Sequence, residues 1–354
     1  MRIHKVRIDN FRRLKDYTVD FCYADGTPRP LTILVGPNMS GKTTVLDALH
    51  LAYSCINNAQ QPDLRPGLDA ADPGLRPDPN RPLEVDIEFS LQPGEWEAID
   101  EIEKLLGSTG LSVQQADRYQ LEFRWPPPTQ SYLGVTRTHP FRANLAFRGR
   151  ATAKVARTRR LIEEGYFERI GGLLYLDQHR SLQLPRYSTA TGRPEEIRER
   201  AGSEDVMPWL ELVARLDQKW DPKTQGESAW SRVKRLYAQL AAPAEIDDMK
   251  AADEGFYLRL AREGQTYEAE GMSSGERQIL RLVVNLTAFR ALRSVVLVDE
   301  LELHLHPAWQ RTLLHFCRRG GGDSNQFIIT THSDSLLRYT SPDDVVRLGD
   351  LGER

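Results

Sequence analysis

The chain has 354 residues, a formal net charge of −3 and 40% apolar residues, enough to bury a substantial core in one large domain or two moderate ones. No apolar run approaches the length of a membrane span, and the first residues are typical of a strand rather than a signal peptide, so we expect no membrane partner. Cys22, Cys55 and Cys317 lie far apart without metal-site spacing, which favours a reducing cytoplasm over a disulfide framework.

The N-terminal residues predict two paired strands. Apolar residues recur largely at strand spacing from Ile3 to Ile8 and again from Tyr17 to Phe21, and Arg12 and Arg13 lie in the turn between them. A segment that is apolar except for Thr32, Leu31–Val35, then predicts a buried strand.

A phosphate-binding loop ends this third strand and begins a helix. Its two glycines permit backbone angles that point successive N–H groups at a polyphosphate, and the helix adds the positive end of its dipole. A lysine is expected to neutralise phosphate charge and a threonine hydroxyl to bind Mg²⁺. A chance loop is disfavoured because eight positions fit the pattern between a strand and a helix. The residues are Gly36, Pro37, Asn38, Met39, Ser40, Gly41, Lys42 and Thr43, followed by Thr44 in the helix.

The next region predicts a loop and two further strands. Six prolines between residues 57 and 82 predict a long mobile loop. Apolar and polar residues alternate strictly in Leu83–Phe89 and again in Leu121–Trp125, as in half-buried strands.

The segment Phe123–Ile162 contains no acidic residue in a chain that is acidic overall. It predicts a local basic field that binds DNA, another nucleic acid or an acidic partner. A solvated face balanced by the acid-rich segment Glu84–Glu103 is an equal alternative. Its nine cations are Arg124, Arg137, Arg142, Arg148, Arg150, Lys154, Arg157, Arg159 and Arg160, interleaved with Trp125, Tyr132, Phe141 and Phe147.

The second half of the chain begins with a buried strand at 172–176, followed by Asp177 and Gln178. Periodic apolar residues between 194 and 240 predict helices, with Trp209, Val213 and Leu216 on one stripe. Two short strands at 256–260 and 266–269 predict a hairpin.

A second anion site is predicted where a long apolar helix begins after this hairpin. Ser273 and Glu276 have the spacing of a capping box, which by itself would only stabilise the start of the helix. The same geometry, with Ser274 and Gly275 between them, offers free N–H groups and a helix dipole that favour a γ-phosphate.

Two apolar strands near the C-terminus end in polar residues. Val295–Val298 is followed by Asp299 and Glu300. Because side-chain direction reverses at each residue of a strand, we expect Asp299 to hold Mg²⁺ through water and Glu300 to polarise the attacking water. His332 follows the next apolar strand, where a purely structural histidine is the alternative.

A metal site is a weaker interpretation of the segment after the acid pair. Glu302, His304 and His306 are potential ligands, but they lie on a short loop and lack a recognisable fourth ligand.

In this order, the phosphate loop, the Met-Ser-Ser-Gly-Glu-Arg-Gln signature, the Val-Leu-Val-Asp-Glu pair and Thr-Thr-His-Ser resemble a non-transporter ATP-binding-cassette ATPase of the AAA type, related to SMC, RecF and OLD-type heads. The opening Ile-Asp-Asn-Phe-Arg-Arg is similar to that class as well. The resemblance implies an α/β P-loop NTPase fold of the ABC-ATPase head type. Residues 1–182 and 293–354 would form lobe I, with a mixed sheet core, and residues 183–292 a helical signature lobe II.

The resemblance also implies roles for individual residues. Two heads would sandwich two ATP molecules, with Ser273 of one facing the phosphate loop of the other. Departures at Met272, Ser274 and Leu301 remove no catalytic group. By motif position, Lys42 would be catalytic, Glu300 the catalytic base, His332 the switch histidine, Gln178 a contact of Mg²⁺ and the nucleophilic water, and Arg12 or Arg13 a neighbour of the nucleotide base.

The preferred interpretation is an ATP-hydrolysing dimeric switch in DNA maintenance or anti-phage defence. Only 22 residues follow His332, so the nuclease domain of OLD-type proteins is expected to be absent and any effector to be a separate protein. The alternative is an ATP-bound scaffold or sensor that holds and releases a partner with little turnover. A transporter subunit is disfavoured by the basic segment and by the Asn-Phe-Arg opening.

Overall fold

The computed structural model describes residues 1–57, 73–107, 116–126, 140–162, 164–177, 206–252, 255–303 and 305–349. The chain divides into two compact units, the first formed by Met1–Asp177, Ala291–Leu301 and Cys317–Arg354 and the second by Gln178–Arg290 and Glu302–Phe316. The predicted lobe boundaries stay a prediction. Most of the predicted proline-rich loop lies outside the described residues.

An antiparallel sheet contains both N-terminal strands. Its strands are β1 (Arg2–Asp9), β2 (Tyr17–Asp20), β4 (Leu83–Ser90) and β5 (Tyr119–Trp125), in the order β2-β1-β4-β5. The predicted alternation of buried and partly exposed residues is confirmed in β4. Its buried residues are Leu83, Val85, Ile87 and Phe89, and the residues between them are partly exposed. The predicted pairing of β1 with β2 is confirmed.

A parallel sheet carries the ends of the predicted nucleotide motifs. Its strands are β3 (Leu31–Val35), β6 (Leu173–Leu176), β10 (Val295–Val298), β11 (Gln326–Thr330) and β12 (Val345–Arg347), in the order β12-β3-β11-β10-β6. Strands β3, β10 and β11 each have a neighbour on both sides, and every residue in them is buried. Enclosed parallel strands are typically rich in apolar residues, as these three are.

Helix α1 (Lys42–Asn57) begins directly after the phosphate loop and packs into the main core of the first unit. Val45 and Leu49 of this helix belong to the same buried cluster as Ile87 of the antiparallel sheet and Leu297 of the parallel sheet. The helix start is therefore held by apolar packing that involves both sheets.

The basic segment contains two helices that the sequence analysis did not assign. These are α3 (Pro140–Phe147) and α4 (Gly149–Thr158), preceded in the chain by α2 (Glu95–Leu105). A small apolar cluster joins α2 and α4 through Ile99, Ile102, Ala153 and Ala156. The acidic and basic segments are thus packed together through their apolar faces.

The second unit contains helices and a three-stranded antiparallel sheet. The helices are α5 (Met207–Asp217), α6 (Pro222–Gln225), α7 (Ala229–Ala241) and α8 (Ser274–Ala288), and the sheet has the order β7 (Ala244–Ala252), β8 (Gly255–Arg262), β9 (Gln265–Glu268). The predicted hairpin is confirmed, but strand β7 was missed and Leu216 of the predicted apolar stripe is exposed. Helix α9 (Pro307–Arg318) lies mostly in this unit, whereas α10 (Asp334–Leu337) belongs to the first unit.

Candidate active site

The phosphate loop connects β3 to α1, as predicted from its sequence. Pro37, Asn38 and Met39 are exposed, whereas Ser40 and Lys42 are buried. The Lys42 ammonium donates hydrogen bonds of 2.9 Å to the carbonyl oxygens of Gly36 and Pro37. The lysine therefore lies against its own loop, next to the N–H groups that a phosphate would contact.

The two loop glycines are required for different reasons. Gly41 has a φ of 88°, in the left-handed region that favours glycine. Gly36 has no positive φ, so a permissive backbone angle does not explain it. Instead, a Cβ at Gly36 would lie 2.6 Å from the Ser40 Oγ and 2.7 Å from the Leu348 carbonyl oxygen. Close packing against the loop and the residue after β12 excludes any side chain there.

Asp299 lies at the centre of the candidate site and is fully buried at the end of β10. The Thr43 hydroxyl at the start of α1 lies 3.0 Å from Asp299 Oδ1 and 3.2 Å from Oδ2. The Thr330 hydroxyl at the end of β11 donates to Asp299 Oδ1 at 2.6 Å. The carboxylate is therefore fixed by hydroxyl groups from two neighbouring segments, and Thr330 is a contact that the sequence analysis missed.

Glu300 and His332 approach each other beside this carboxylate. Glu300 Oε1 lies 3.9 Å from His332 Nε2, which is too long for a hydrogen bond but brings both groups to one place. Both side chains are partly exposed, in contrast to Asp299. Asp299 is therefore enclosed and Glu300 is accessible, while the roles expected for them on Mg²⁺ and on the attacking water stay predictions.

Oxygen donors of the kind that Mg²⁺ prefers are present in this arrangement. The Thr43 hydroxyl and the Asp299 carboxylate lie side by side next to the phosphate loop. Mg²⁺ is commonly held by one or two such protein groups together with substrate phosphates. The two residues thus fit a magnesium ion that enters with a nucleotide.

Arg12 makes an ion pair inside the first unit. Its Nη1 lies 2.7 Å from Asp47 Oδ2, and Asp47 is fully buried on α1. The Tyr175 hydroxyl of β6 donates to the other oxygen of Asp47 at 3.0 Å. Arg13, the alternative nucleotide contact, is exposed. The placement gives Arg12 a structural role that does not depend on a nucleotide.

The signature residues form a complete capping box at the start of α8. The Ser273 backbone N–H and hydroxyl both donate to Glu276 Oε2 at 2.8 Å, and the Glu276 N–H donates back to Ser273 Oγ at 3.3 Å. Tyr267 of β9 donates to Glu276 Oε1 at 2.7 Å. Burial by itself would raise the pKa of Glu276, but the Ser273 and Tyr267 hydrogen bonds together hold it below its usual value. The stabilising interpretation of this spacing is confirmed.

Two predicted residues lie outside the described part of the chain. They are Gln178, expected to contact Mg²⁺ and water, and His304 of the alternative metal cluster. Ser274 and Gly275 form the first turn of α8 between the residues of the capping box.

The cations of the basic segment are not equivalent. Arg150 is buried and donates to the Ile170 carbonyl at 2.8 Å, while Arg124 pairs with Glu84 at 3.4 Å. Lys154 is exposed in the middle of α4, and Arg159 and Arg160 are exposed just beyond its C-terminal end. Arg137 and Tyr132 lie outside the described residues. Among the described side chains of the basic segment, the exposed cations are therefore Lys154, Arg159 and Arg160.

Comparison with known proteins identifies the class. The family described as "AAA domain, putative AbiEii toxin, Type IV TA system" matches residues 31–338, and the chain belongs to this family. The protein therefore has an ATPase domain of the AAA type. Within the described ranges, no helix has the length and apolar character that a bilayer crossing requires.

Two curated relatives match short stretches of the chain. "Retron Vc95 probable ATPase" of Vibrio cholerae serotype O1 biovar El Tor is 25% identical over 108 residues, which are 27% of this chain and 21% of that protein. "Retron Ec83 probable ATPase" of Escherichia coli is 34% identical over 76 residues, which are 18% of this chain and 14% of that protein. The chain therefore matches about a fifth or less of the length of each relative.

Two solved structures share the fold over nearly the whole chain. An SMC head bound to the C-terminal winged-helix domain of ScpA has a TM-score of 0.51 at 15% identity, covering 98% of this chain and 97% of that one. An SMC head with an extended coiled coil, bound to the C-terminal domain of ScpA from Pyrococcus furiosus, has a TM-score of 0.50 at 13% identity. The match covers 98% of this chain and 93% of that one. At these identities the likeness shows the fold alone.

Replacing Arg12 tests its structural role. We expect Arg12→Ala to lower the free energy of unfolding by about 2–4 kcal/mol, because a buried carboxylate would lose its cation. Urea titration measures the change. Arg235→Ala is the control, since Arg235 of α7 pairs with Glu227 and both side chains are exposed, and such pairs contribute about 0–1 kcal/mol. Equal losses in the free energy of unfolding of the two variants would contradict the structural role of Arg12.

Proposed function

We propose that this chain is the ATP-binding and ATP-hydrolysing head of a switch protein that closes as a dimer around two ATP molecules. The observation that carries the proposal is the meeting of the phosphate loop, Asp299 and the Glu300–His332 pair at one edge of the parallel sheet. Ligands of α/β sheets bind at that edge, outside the carboxyl ends of the strands.

In the proposed reaction each residue has a distinct task. The loop N–H groups and Lys42 hold the phosphates, with Lys42 leaving the loop carbonyls that it now contacts. Thr43 and Asp299 would hold Mg²⁺, which supplies charge neutralisation on the β- and γ-phosphates when bound. Glu300 accepts a proton from the water that attacks the γ-phosphorus, and the bond to the ADP oxygen breaks. His332 lies where it can orient that water or the γ-phosphate.

Dimer closure would use the helix start that carries the signature. The Ser273 hydroxyl donates its single proton to Glu276, so it has to rotate in order to donate to a phosphate of the partner. Glu276 would then keep the Ser273 N–H and the Tyr267 hydroxyl as donors. The Ser273 hydroxyl can therefore turn from Glu276 to a phosphate of the partner, and the buried Glu276 carboxylate still accepts two hydrogen bonds.

The biological setting that we propose is DNA maintenance or anti-phage defence, with a separate effector protein. The family description names "putative AbiEii toxin, Type IV TA system", and the two curated relatives are each named as a retron "probable ATPase". These names support an ATPase that serves a larger system. We propose nucleic acid as a second partner, bound at the exposed cations near the end of α4.

Glu300→Gln is expected to bind ATP normally and to lose turnover by about 10²–10⁴-fold, because the general base is removed while the phosphate cradle stays. Steady-state phosphate release and binding of a fluorescent ATP analogue measure the two effects. Lys42→Ala is expected instead to weaken ATP binding itself. Near-normal hydrolysis by Glu300→Gln would reject Glu300 as the base, and ATP-dependent assembly without turnover in the wild type would favour the scaffold function.

Ser273→Arg is expected to leave ATP binding by single heads intact but to abolish ATP-dependent association and hydrolysis, because the arginine would occupy the partner's phosphate position. Light scattering with and without ATP measures association. Ser273→Ala is the control for removal of the helix cap, which costs about 0.5–2 kcal/mol of stability but adds no bulk. A mixture of Ser273→Arg and Lys42→Ala chains should regain one intact composite site per mixed dimer. Full activity of Ser273→Arg would leave only the capping role.

Neutralising the exposed cations tests the nucleic-acid partner. Lys154, Arg159 and Arg160 changed together to Ala should weaken DNA binding and flatten the log–log salt slope by about 0.7–0.9 for each DNA phosphate that the protein no longer neutralises. Fluorescence anisotropy with labelled DNA over a salt series measures both. Lys219, Lys223 and Arg311 are exposed in the second unit, and their triple Ala variant carries the same charge change as a control. Equal slopes for the two variants, or no binding by the wild type in low salt, would refute this partner.

A further inference from the structure

Thr330 is the last residue of β11, and its side chain is 1% exposed. One oxygen atom of this residue makes two hydrogen bonds. The hydroxyl donates to Asp299 Oδ1 at 2.6 Å and accepts from the backbone N–H of Glu300 at 2.8 Å. The two acidic residues of the candidate site are thus joined through a single hydroxyl group.

The backbone at Glu300 needs such a contact. Glu300 has a φ of 48°, in the left-handed region, where a residue with a side chain is strained unless its surroundings hold it. The Leu301 N–H donates to the Thr330 carbonyl at 3.2 Å. Thr330 therefore anchors the peptide N–H groups on both sides of the Glu300 α-carbon, one through its side chain and one through its main chain.

The turn at Glu300 decides where its carboxylate lies. In this conformation the chain leaves the sheet after Asp299, and the Glu300 carboxylate reaches within 3.9 Å of the His332 imidazole. Removal of the Thr330 hydroxyl would take away a donor to Asp299 and an acceptor of the Glu300 N–H at the same time. Neighbouring Thr331 differs, because its hydroxyl accepts from the Ser333 N–H and stays within its own segment.

We propose that Thr330 is a positioning residue for ATP hydrolysis, whose hydroxyl fixes the Asp299 carboxylate and the Glu300 turn in the geometry that the reaction uses. The inference rests on the proposed ATPase function. Thr330 contacts no phosphate itself and acts through the two acids. Valine at this position keeps the shape of threonine but can make neither hydrogen bond, whereas serine can make both.

Steady-state ATPase kinetics of three variants test whether the Thr330 hydroxyl positions the two acids for hydrolysis. Thr330→Val should lower kcat by about 10–100-fold with KM and ATP affinity changed less than about threefold, since the phosphate loop is untouched. Thr330→Ser should keep most of the activity. Thr32→Val is the matched control, because Thr32 is a fully buried residue of β3 whose hydroxyl has no hydrogen-bond partner among the described residues. It should behave as the wild type.

Amide exchange tests the contact itself and needs no turnover. Hydrogen–deuterium exchange at the Glu300 amide should accelerate about tenfold in Thr330→Val and stay near the wild-type rate in Thr330→Ser and Thr32→Val. Wild-type kcat in Thr330→Val, or activity as low in Thr330→Ser as in Thr330→Val, would overturn the proposal. Unchanged exchange in Thr330→Val would overturn it as well. Absence of hydrolysis by the wild type would reject the proposed function, while the exchange measurement would still decide whether Thr330 holds the turn.

Discussion

The hydrogen bonds to the buried carboxylate of Asp299 are the contacts on which the candidate site depends. Thr43 reaches this carboxylate from the start of α1, and Thr330 reaches it from the end of β11. A buried charge is costly unless it is paired or hydrogen-bonded, so these hydroxyls both stabilise Asp299 and locate it. Protein groups alone consequently join the start of α1, directly after the phosphate loop, to the acid pair.

The parallel sheet makes this convergence possible. Strand β11 lies between β3 and β10, and its register aligns Ile329 with Val298 and with Ile33. Thr330 and Asp299, each one residue further on, therefore meet at the same edge. Because side chains alternate in a strand, a slip of one residue in β11 would turn the threonine hydroxyl to the other face. The apolar residues that bury these strands and fix their register thus also specify the site.

Much of this arrangement could be predicted from the sequence, because local patterns determine it. The phosphate loop, the apolar strands and the capping box at Ser273 each depend on residues close together in the chain. Strand β7 was missed because its Glu, Asp, Lys and Ala residues are poor strand formers, and pairing with β8 overrides their propensity. The Arg12–Asp47 pair and the Thr330 hydroxyl depend on tertiary contacts between distant segments. Exposure of the cations in the basic segment likewise follows only from the packing of α4.

The distance along the chain between the two halves of the site has a consequence for folding. Thr43 and Asp299 are 256 residues apart, and β3 pairs with β11, which is further still towards the C-terminus. Contacts of such long range form slowly, because the entropy of closing the intervening chain has to be overcome first. A partly folded chain would possess the phosphate loop but not its acidic neighbours. Nucleotide that binds the completed site would then act as a selective ligand of the fully folded state and draw late folding steps to completion by mass action.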